Sequence, residues 1–238
     1  MSKYTFFSDE EDITAVGRWI VARQNRFLIE LIERHHAPAG SVSVLEVGPG
    51  HGAFARACTK CGLAYEGVEG NMTMAERLKS DGFAVTVSTV PPLPAGERRN
   101  VIVMQHVLEH MRGVDEALTL VCQCVERLVP GGLLIVCGPD ITVMKDDFFD
   151  CDYTHAFPTS ARRLRQIFHD AGLTVLASGL QNALGTHPLL LKTVGNCARL
   201  AYASGLFGLL FGDRAYTAKT SLYASCYAVG TLDVANRQ

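Results

Sequence analysis

The sequence predicts a doubly wound α/β fold, a mostly parallel, seven-stranded sheet with helices on both faces. Three observations carry this expectation. Short β-branched runs alternate with segments of helical periodicity from residue 41 onward. Those runs are apolar along their whole length, as strands buried on both faces are. A glycine-rich turn, GPGHG at 48–52, lies between the first such run and the next helix. Open α/β sheets bind ligands at strand ends of this kind.

Each element has its own signal. Residues 9–36 place Ile13, Val16, Trp19, Ile20, Phe27, Leu28, Leu31 and Ile32 at helical spacing, and Pro38 with Gly40 stops that helix. Strand 41–47 leads into helix 53–61, which Gly62 closes. Strand 64–68 is followed by helix 72–79, stopped by Asp81-Gly82, and by strand 83–87. Past the proline-rich loop 91–94 comes strand 101–104. Helix 114–128 ends at Pro130-Gly131-Gly132, and strand 133–136 follows. Thr159 or Ser160 caps a helix running to Asp170, Gly172 ends it, and 173–177 forms a sixth strand. Residues 221–231 alternate enough to make a seventh, antiparallel strand.

The stretch 188–212 stands apart. It is strongly apolar, Lys192 and Arg199 interrupt it, and its uncharged part is too short to span a bilayer. A buried helical insertion accounts for it, with a substrate lid, a dimer face or an interfacial contact as further roles. The resulting organisation is an N-terminal helical cap (1–40), a ligand-binding core (41–183), the insertion or lid (184–220), and the last strand with the C-terminus (221–238).

Bulk properties exclude several functions. The 238 residues suffice for one large core. Lys+Arg 22 against Asp+Glu 24 gives a net charge of -2, so a nucleic-acid footprint is not expected. Residues 1–12 are polar and acidic, unlike a signal peptide, and eight cysteines then read as reduced thiols of a cytoplasmic protein. Cys58 and Cys61 have metal-like spacing, but no second pair answers them.

The charge beside the glycine loop decides what the loop holds. Read as G-x-G-x-x-A, the stretch also fits a dinucleotide fingerprint, which alone is weak evidence. A pyrophosphate there would meet the carboxylate of Glu46. A sulfonium and ammonium ligand reverses the preference, because Glu46 offsets its charge directly or through water. Glu69, about 20 residues past Gly48, sits where an acid accepts both ribose hydroxyls, in NAD enzymes and methyltransferases alike.

These motifs together resemble the class I S-adenosylmethionine-dependent methyltransferases, specifically the methyltransferase-23/11-like branch. The resemblance spans roughly residues 42–176. Its motifs are LEVGPGHG, YEGVEGN at the second strand end, QHVLEHM after the fourth strand, ERLVPGGLLIVCGPD, and DYTHAFPTSARRLRQIFHDAGL. It implies a Rossmann-like methyltransferase sheet with an antiparallel seventh strand. The cofactor implied is S-adenosylmethionine, leaving as S-adenosylhomocysteine. Gly48, Gly50 and Gly52 would cradle its methionine part and Glu69, with Gly70 and Asn71, its ribose. Ser88 and Thr89 stand where an acidic residue often contacts the adenine amine, and Gln105 and His106 would line the methionine side. The fourth strand opens Arg99-Asn100 in place of the family's aromatic-Asp pair, a change expected to affect packing.

Methyl transfer from a sulfonium needs alignment, exclusion of water and, for a hydroxyl acceptor, a base. His155, oriented by Asp152, is the first candidate, and His106 is the second. His106 and His110 are four apart, so one face of a helical turn would present both. With Glu109 they resemble the E-x-x-E-H metal site of ubiquinone-type O-methyltransferases. The first acidic ligand is here His106, so no metal is expected. His110, Tyr153 and Phe157 would line the acceptor pocket. The expected reaction is O-methylation of a small molecule, sugar or lipid-linked glycan. An NAD(P)-dependent oxidoreductase and a binding protein without turnover are the alternatives. A second copy would dock through the N-terminal helix or the insertion.

Overall fold

The computed structural model describes residues 15–36 and 42–232. The expected helix start at residue 9, its stop at Pro38 and Gly40, and residue 41 lie outside them. Helix α1 (Ala15–His35) precedes β1 (Ser43–Val47), α2 (Ala53–Lys60), β2 (Ala64–Glu69), α3 (Met72–Ser80) and β3 (Val85–Val87). Then come β4 (Arg99–Gln105), a 3-10 turn (Leu108–His110), α4 (Val114–Glu126) and β5 (Leu128–Pro139). Two short helices, α5 (Ile141–Met144) and α6 (Asp147–Asp150), lead to α7 (Ala161–Asp170) and β6 (Thr174–Gln181). The chain closes with α8 (Pro188–Ala203), α9 (Leu206–Phe211), a 3-10 turn (Gly212–Arg214), α10 (Ala215–Ser221) and β7 (Ser225–Thr231).

The seven strands form one sheet in the order β3-β2-β1-β4-β5-β7-β6. Only β7 runs antiparallel to its neighbours, so β1 to β6 point the same way. Alternate strand residues fill two cores. Leu45, Val47, Ile102, Met104, Leu134 and Val136 pack toward α4 and α7. Val44, Val101, Val103, Leu133 and Ile135 pack under Leu28, Leu31 and Ile32 of α1 and Phe54 of α2. Neither face is left to solvent, which is why the strands read as continuous apolar runs. The Arg99-Asn100 departure is a packing feature. The Asn100 amide oxygen accepts from Ser43 N (2.9 Å) and Ser43 Oγ (2.8 Å), and Arg99 pairs with Glu66 (2.5 Å), locking β4 to its neighbours.

Two expectations are corrected. The last strand starts at Ser225, because residues up to Ser221 belong to α10. Lys219 is buried, and the helix is what aims its ammonium at Asp147 Oδ1 (2.7 Å). The insertion is not buried either. Leu191, Ala198 and Phe207 face inward, while Leu189, Leu200, Leu209 and Leu210 stand exposed. No described helix is long and apolar enough to cross a membrane by itself. Residues Pro188–Ala203 and Leu206–Ser221 pass that test only as a pair bent by 83°.

Register brings the site together. Val47 lies opposite both Val68 and Met104, so the carboxyl ends of β1, β2 and β4 stand side by side. The segments 48–52, 69–71 and 105–110 leave the sheet at that shared edge.

Candidate active site

The three loop glycines have different jobs. All have positive φ, +74° at Gly48, +52° at Gly50 and +75° at Gly52, the left-handed region that favours glycine. A Cβ at Gly48 would stand 2.5 Å from Val107 Cγ2, and one at Gly52 would stand 2.2 Å from Leu78 Cδ2. Those two glycines admit neighbouring side chains. A Cβ at Gly50 would meet nothing within 4 Å, so the loop presents open space there.

Glu69 closes the floor of that space. It is buried at the end of β2, where Oε2 accepts from Gly50 N (2.9 Å) and Oε1 from Asn71 N (2.8 Å). A carboxylate offers about four acceptor positions, so each oxygen keeps one for a further donor. Asn71 caps α3, its side-chain oxygen accepting from Met74 N (3.2 Å). Gly70 lies against Thr89, and Ser88 N donates to the Glu69 carbonyl (3.0 Å), so β3 brings residues 88–89 beside the acid.

Glu46 is almost wholly buried. Its Oε2 accepts from the Tyr65 hydroxyl (2.7 Å), and Gln105 Nε2 lies 3.4 Å from Oε1. Burial pushes its carboxyl up to about 7, with the two hydrogen bonds opposing and Glu69 adding repulsion. The charge read from the sequence is therefore a carboxyl poised near neutrality.

The end of β4 holds a residue in an unusual conformation. His106 has φ +53°, uncommon outside glycine, while its N–H donates to the Cys137 carbonyl (2.9 Å). The ladder to β5 thus fixes the backbone, and the imidazole stands half-exposed. Its Nδ1 lies 3.2 Å from Oε1 of Glu109, a fully buried carboxylate. Burial pulls the His106 pKa down, but the Glu109 carboxylate more than offsets this and holds it above the usual range. Burial pushes Glu109 up, and the histidine outweighs that and holds it low. His106 and His110 do not share a helical face, because the backbone turns at His106 and only Leu108–His110 coil. Sequence reasoning weighed Glu109 only as a metal ligand; its missing signal was burial.

The loop after β5 docks on the same turn. The Glu109 carbonyl accepts from Ala156 N and Phe157 N, both 2.9 Å. His155 is nearly buried, and its Nδ1 donates to the Phe148 carbonyl (2.6 Å). Asp152 spends its short bonds on Thr154, with Oδ1 accepting from N (2.8 Å) and Oγ1 (2.6 Å). Its Oδ2 stays 3.9 Å from His155 Nε2, beyond hydrogen-bond reach. The Asp152 carboxylate therefore shapes the loop first and faces His155 second. His110 Nδ1 meets Thr154 Oγ1 (2.8 Å), and burial lowers its pKa. Tyr153 is exposed, whereas Phe157 is buried under Arg163, whose guanidinium lies 4.7 Å over the ring. Phe157 borders a groove of about 920 Å³ between α4 and α7, lined also by Arg162 and Gln166 and by no residue of the glycine loop. Cys58 is buried on α2 and Cys61 exposed at its end, so they form no paired site.

A methyltransferase domain model matches residues 20–178, more than half of the chain. The chain belongs to the methyltransferase domain family. Solved structures agree on the fold. The N-methyltransferase NodS from Bradyrhizobium japonicum WM9, in complex with S-adenosylhomocysteine, superposes with a TM-score of 0.63 at 14% identity, over 98% of this chain and 99% of that one. Magnesium protoporphyrin IX methyltransferase (ChlM) from Synechocystis PCC 6803 gives 0.60 at 14% identity, over 96% and 92%. A SAM-dependent methyltransferase from Archaeoglobus fulgidus gives 0.59 at 16% identity, over 88% and 94%. No curated protein matches the chain.

It is a class I S-adenosylmethionine-dependent methyltransferase. The residues of this methyltransferase fit that cofactor. The space over Gly50 is one a Cβ would fill, the spare acceptor positions of Glu69 suit a pair of hydroxyl donors, and buried Glu46 supplies negative charge for a cation.

Proposed function

We propose that this methyltransferase methylates a hydroxyl group of a small-molecule, sugar or lipid-linked acceptor, with His106 taking the acceptor proton. Bound S-adenosylmethionine supplies an electrophilic methyl group. Gly48, Gly50 and Gly52 shape the loop that receives it, Glu69 takes the ribose, and Ser88 and Thr89 border the adenine. Gln105 lines the methionine side, and Glu46 offsets the positive charge.

One observation carries the choice of base. His106 sits at the sheet edge with an exposed imidazole, held in left-handed backbone and backed by the buried Glu109 carboxylate 3.2 Å away. Such strain at a strand end supports a functional role. His155 is disfavoured because its ring is nearly buried and its Nδ1 pins the loop to Phe148. Glu109 is then a positioning residue, orienting the imidazole as a carboxylate orients a general base.

The test is turnover of His106→Asn with hydroxylated acceptors, alongside calorimetry of S-adenosylhomocysteine. The turnover number should fall by roughly 10²–10⁴-fold, the usual worth of a positioned proton acceptor, and far more than cofactor affinity, since His106 also lines the methionine side. Parent-like turnover would overturn the assignment and point to an acceptor that needs no base.

A further inference from the structure

We propose that the outer face of α8 and α9 docks on the surface of an anionic phospholipid bilayer. Both the inward and the outward positions are apolar here, a pattern that an ordinary surface helix avoids. On α8, Leu191, Gly195 and Ala198 are buried at helical spacing. A Cβ at Gly195 would stand 3.4 Å from Tyr223 and Val143, and the Arg199 guanidinium lies 4.7 Å over the Tyr223 ring. The helix is therefore already seated on the core. Leu189 and Leu200, about three turns apart on the opposite stripe, are nonetheless 72% and 71% exposed. In α9 (Leu206–Phe211) every residue is Leu, Phe or Gly. Phe207 is buried, whereas Leu206, Leu209, Leu210 and Phe211 stand exposed, Leu209 by 84%.

Three features favour a bilayer over a second copy of the chain. The first is hydrogen bonding. The side chains of α9 hold no donor or acceptor, whereas protein interfaces carry about one hydrogen bond per 100–200 Å². A hydrocarbon phase asks for none. The second is charge. Residues 171–212 contain no Asp or Glu, although the chain has 24 acids and a net charge of -2. Lys192 is exposed on α8, and anionic headgroups attract such a side chain. The third is shape. Residues Pro188–Ala203 and Leu206–Ser221 meet at 83°, so the apolar segment turns a corner. A helix of 16 residues is about 24 Å long, short of the roughly 30 Å of a hydrocarbon core. Protruding leucines at a corner suit shallow insertion at the headgroup boundary.

The insertion is attached at the edge of the sheet that carries the site. Gln181, the end of β6, pairs with Ser225, where β7 begins, and Ser225 pairs with Pro139 at the end of β5. His106 follows β4 at the same edge. Docking there narrows the acceptor to a lipid-linked one, a consequence that rests on the function proposed above. The docking itself does not.

The experiment is cosedimentation of the full chain with phosphatidylcholine vesicles, with and without phosphatidylglycerol. The parent should bind the anionic vesicles more tightly, and Lys192→Glu should weaken that binding about fivefold. Leu209→Ser combined with Leu210→Ser should weaken it tenfold or more. The affinity of that variant for S-adenosylhomocysteine, read by calorimetry, should stay parent-like and so report an intact fold. In the parent chain, hydrogen exchange of α9 should slow when anionic vesicles are added, a readout that needs no variant. No sedimentation, equal binding to both kinds of vesicle, or full binding by the leucine variant would overturn the docking face. So would a leucine-dependent dimer in analytical ultracentrifugation without vesicle binding. His106→Asn should sediment with vesicles like the parent whether or not its turnover falls, so the docking and base assignments fail separately.

Discussion

At the scale of single residues, glycines that look alike in sequence separate by what a methyl group would meet. Gly52→Ala drives a Cβ into buried Leu78, so the variant should lose about 1–3 kcal/mol of stability, read as a lower Tm. Gly50→Ala meets no atom and costs only left-handed strain, about 1–2 kcal/mol, yet it should weaken S-adenosylhomocysteine binding strongly. Normal binding by Gly50→Ala would remove the loop as the cofactor cradle. Glu69→Ala should weaken cofactor binding by roughly 1.5–3 kcal/mol, the scale of hydrogen bonds to a charged group. Calorimetry on the folded variant checks this, and unchanged affinity would take Glu69 out of the site.

At the scale of elements, one acid gathers several side chains at the base of the insertion. Asp147 on α6 accepts from Lys219 Nζ (2.7 Å) and the Tyr223 hydroxyl (2.6 Å), and Arg199 reaches it at 3.9 Å. Lys219 also lies over the rings of Tyr202 and Tyr216, at 4.2 and 4.3 Å. Asp147→Ala strands a buried ammonium and should cost about 3–5 kcal/mol, toward the lower end because the rings remain. A thermal-unfolding shift of a degree or less would contradict this. The same acid precedes the loop carrying His155, so the insertion braces that loop more than the glycine loop. Trimming 188–212 should therefore reduce acceptor turnover more than cofactor affinity, and equal loss of both would indicate misfolding alone.

At the scale of the whole molecule, buried Glu46 and half-buried Asp147 set opposite pH limits. Glu46 rises from 4.5 to about 7 in the fold, so the folded state binds its proton more tightly. Stability from that proton is present below about pH 4.5 and is lost as pH rises through about 7, on the order of 3 kcal/mol. Asp147 behaves inversely. Burial pushes it up, but Lys219 and Tyr223 more than reverse this, so its contribution is lost as pH falls below the ordinary carboxylate range. The unliganded protein should be most stable on the acid side of neutrality, and Glu46→Gln should flatten the neutral limb of a plot of Tm against pH. A bound sulfonium favours the ionised Glu46, so cofactor binding near pH 6–7 should release a proton. Calorimetry in buffers of different ionisation heat reads that release, and its absence would show that Glu46 does not compensate the cofactor charge.

The doubly wound sheet and the glycine turn at its edge were legible in the sequence because local signals specify them. Strands buried on both faces must be apolar throughout, and left-handed turns need glycine, so residues 44–52 announce both. The antiparallel last strand was legible too, but its start was not, because the alternation at 221–231 runs past the end of α10. What the tertiary structure decided was every question of partners. Asp152 and His155 are close in sequence, yet the carboxylate spends its hydrogen bonds on Thr154, and the ring is held by Phe148. Glu109 looked like one member of a short motif until the β4 end and the post-β5 loop closed over it and took its carboxylate out of water. Desolvation of that kind depends on which segments meet in space, and spacing along one segment carries no record of it.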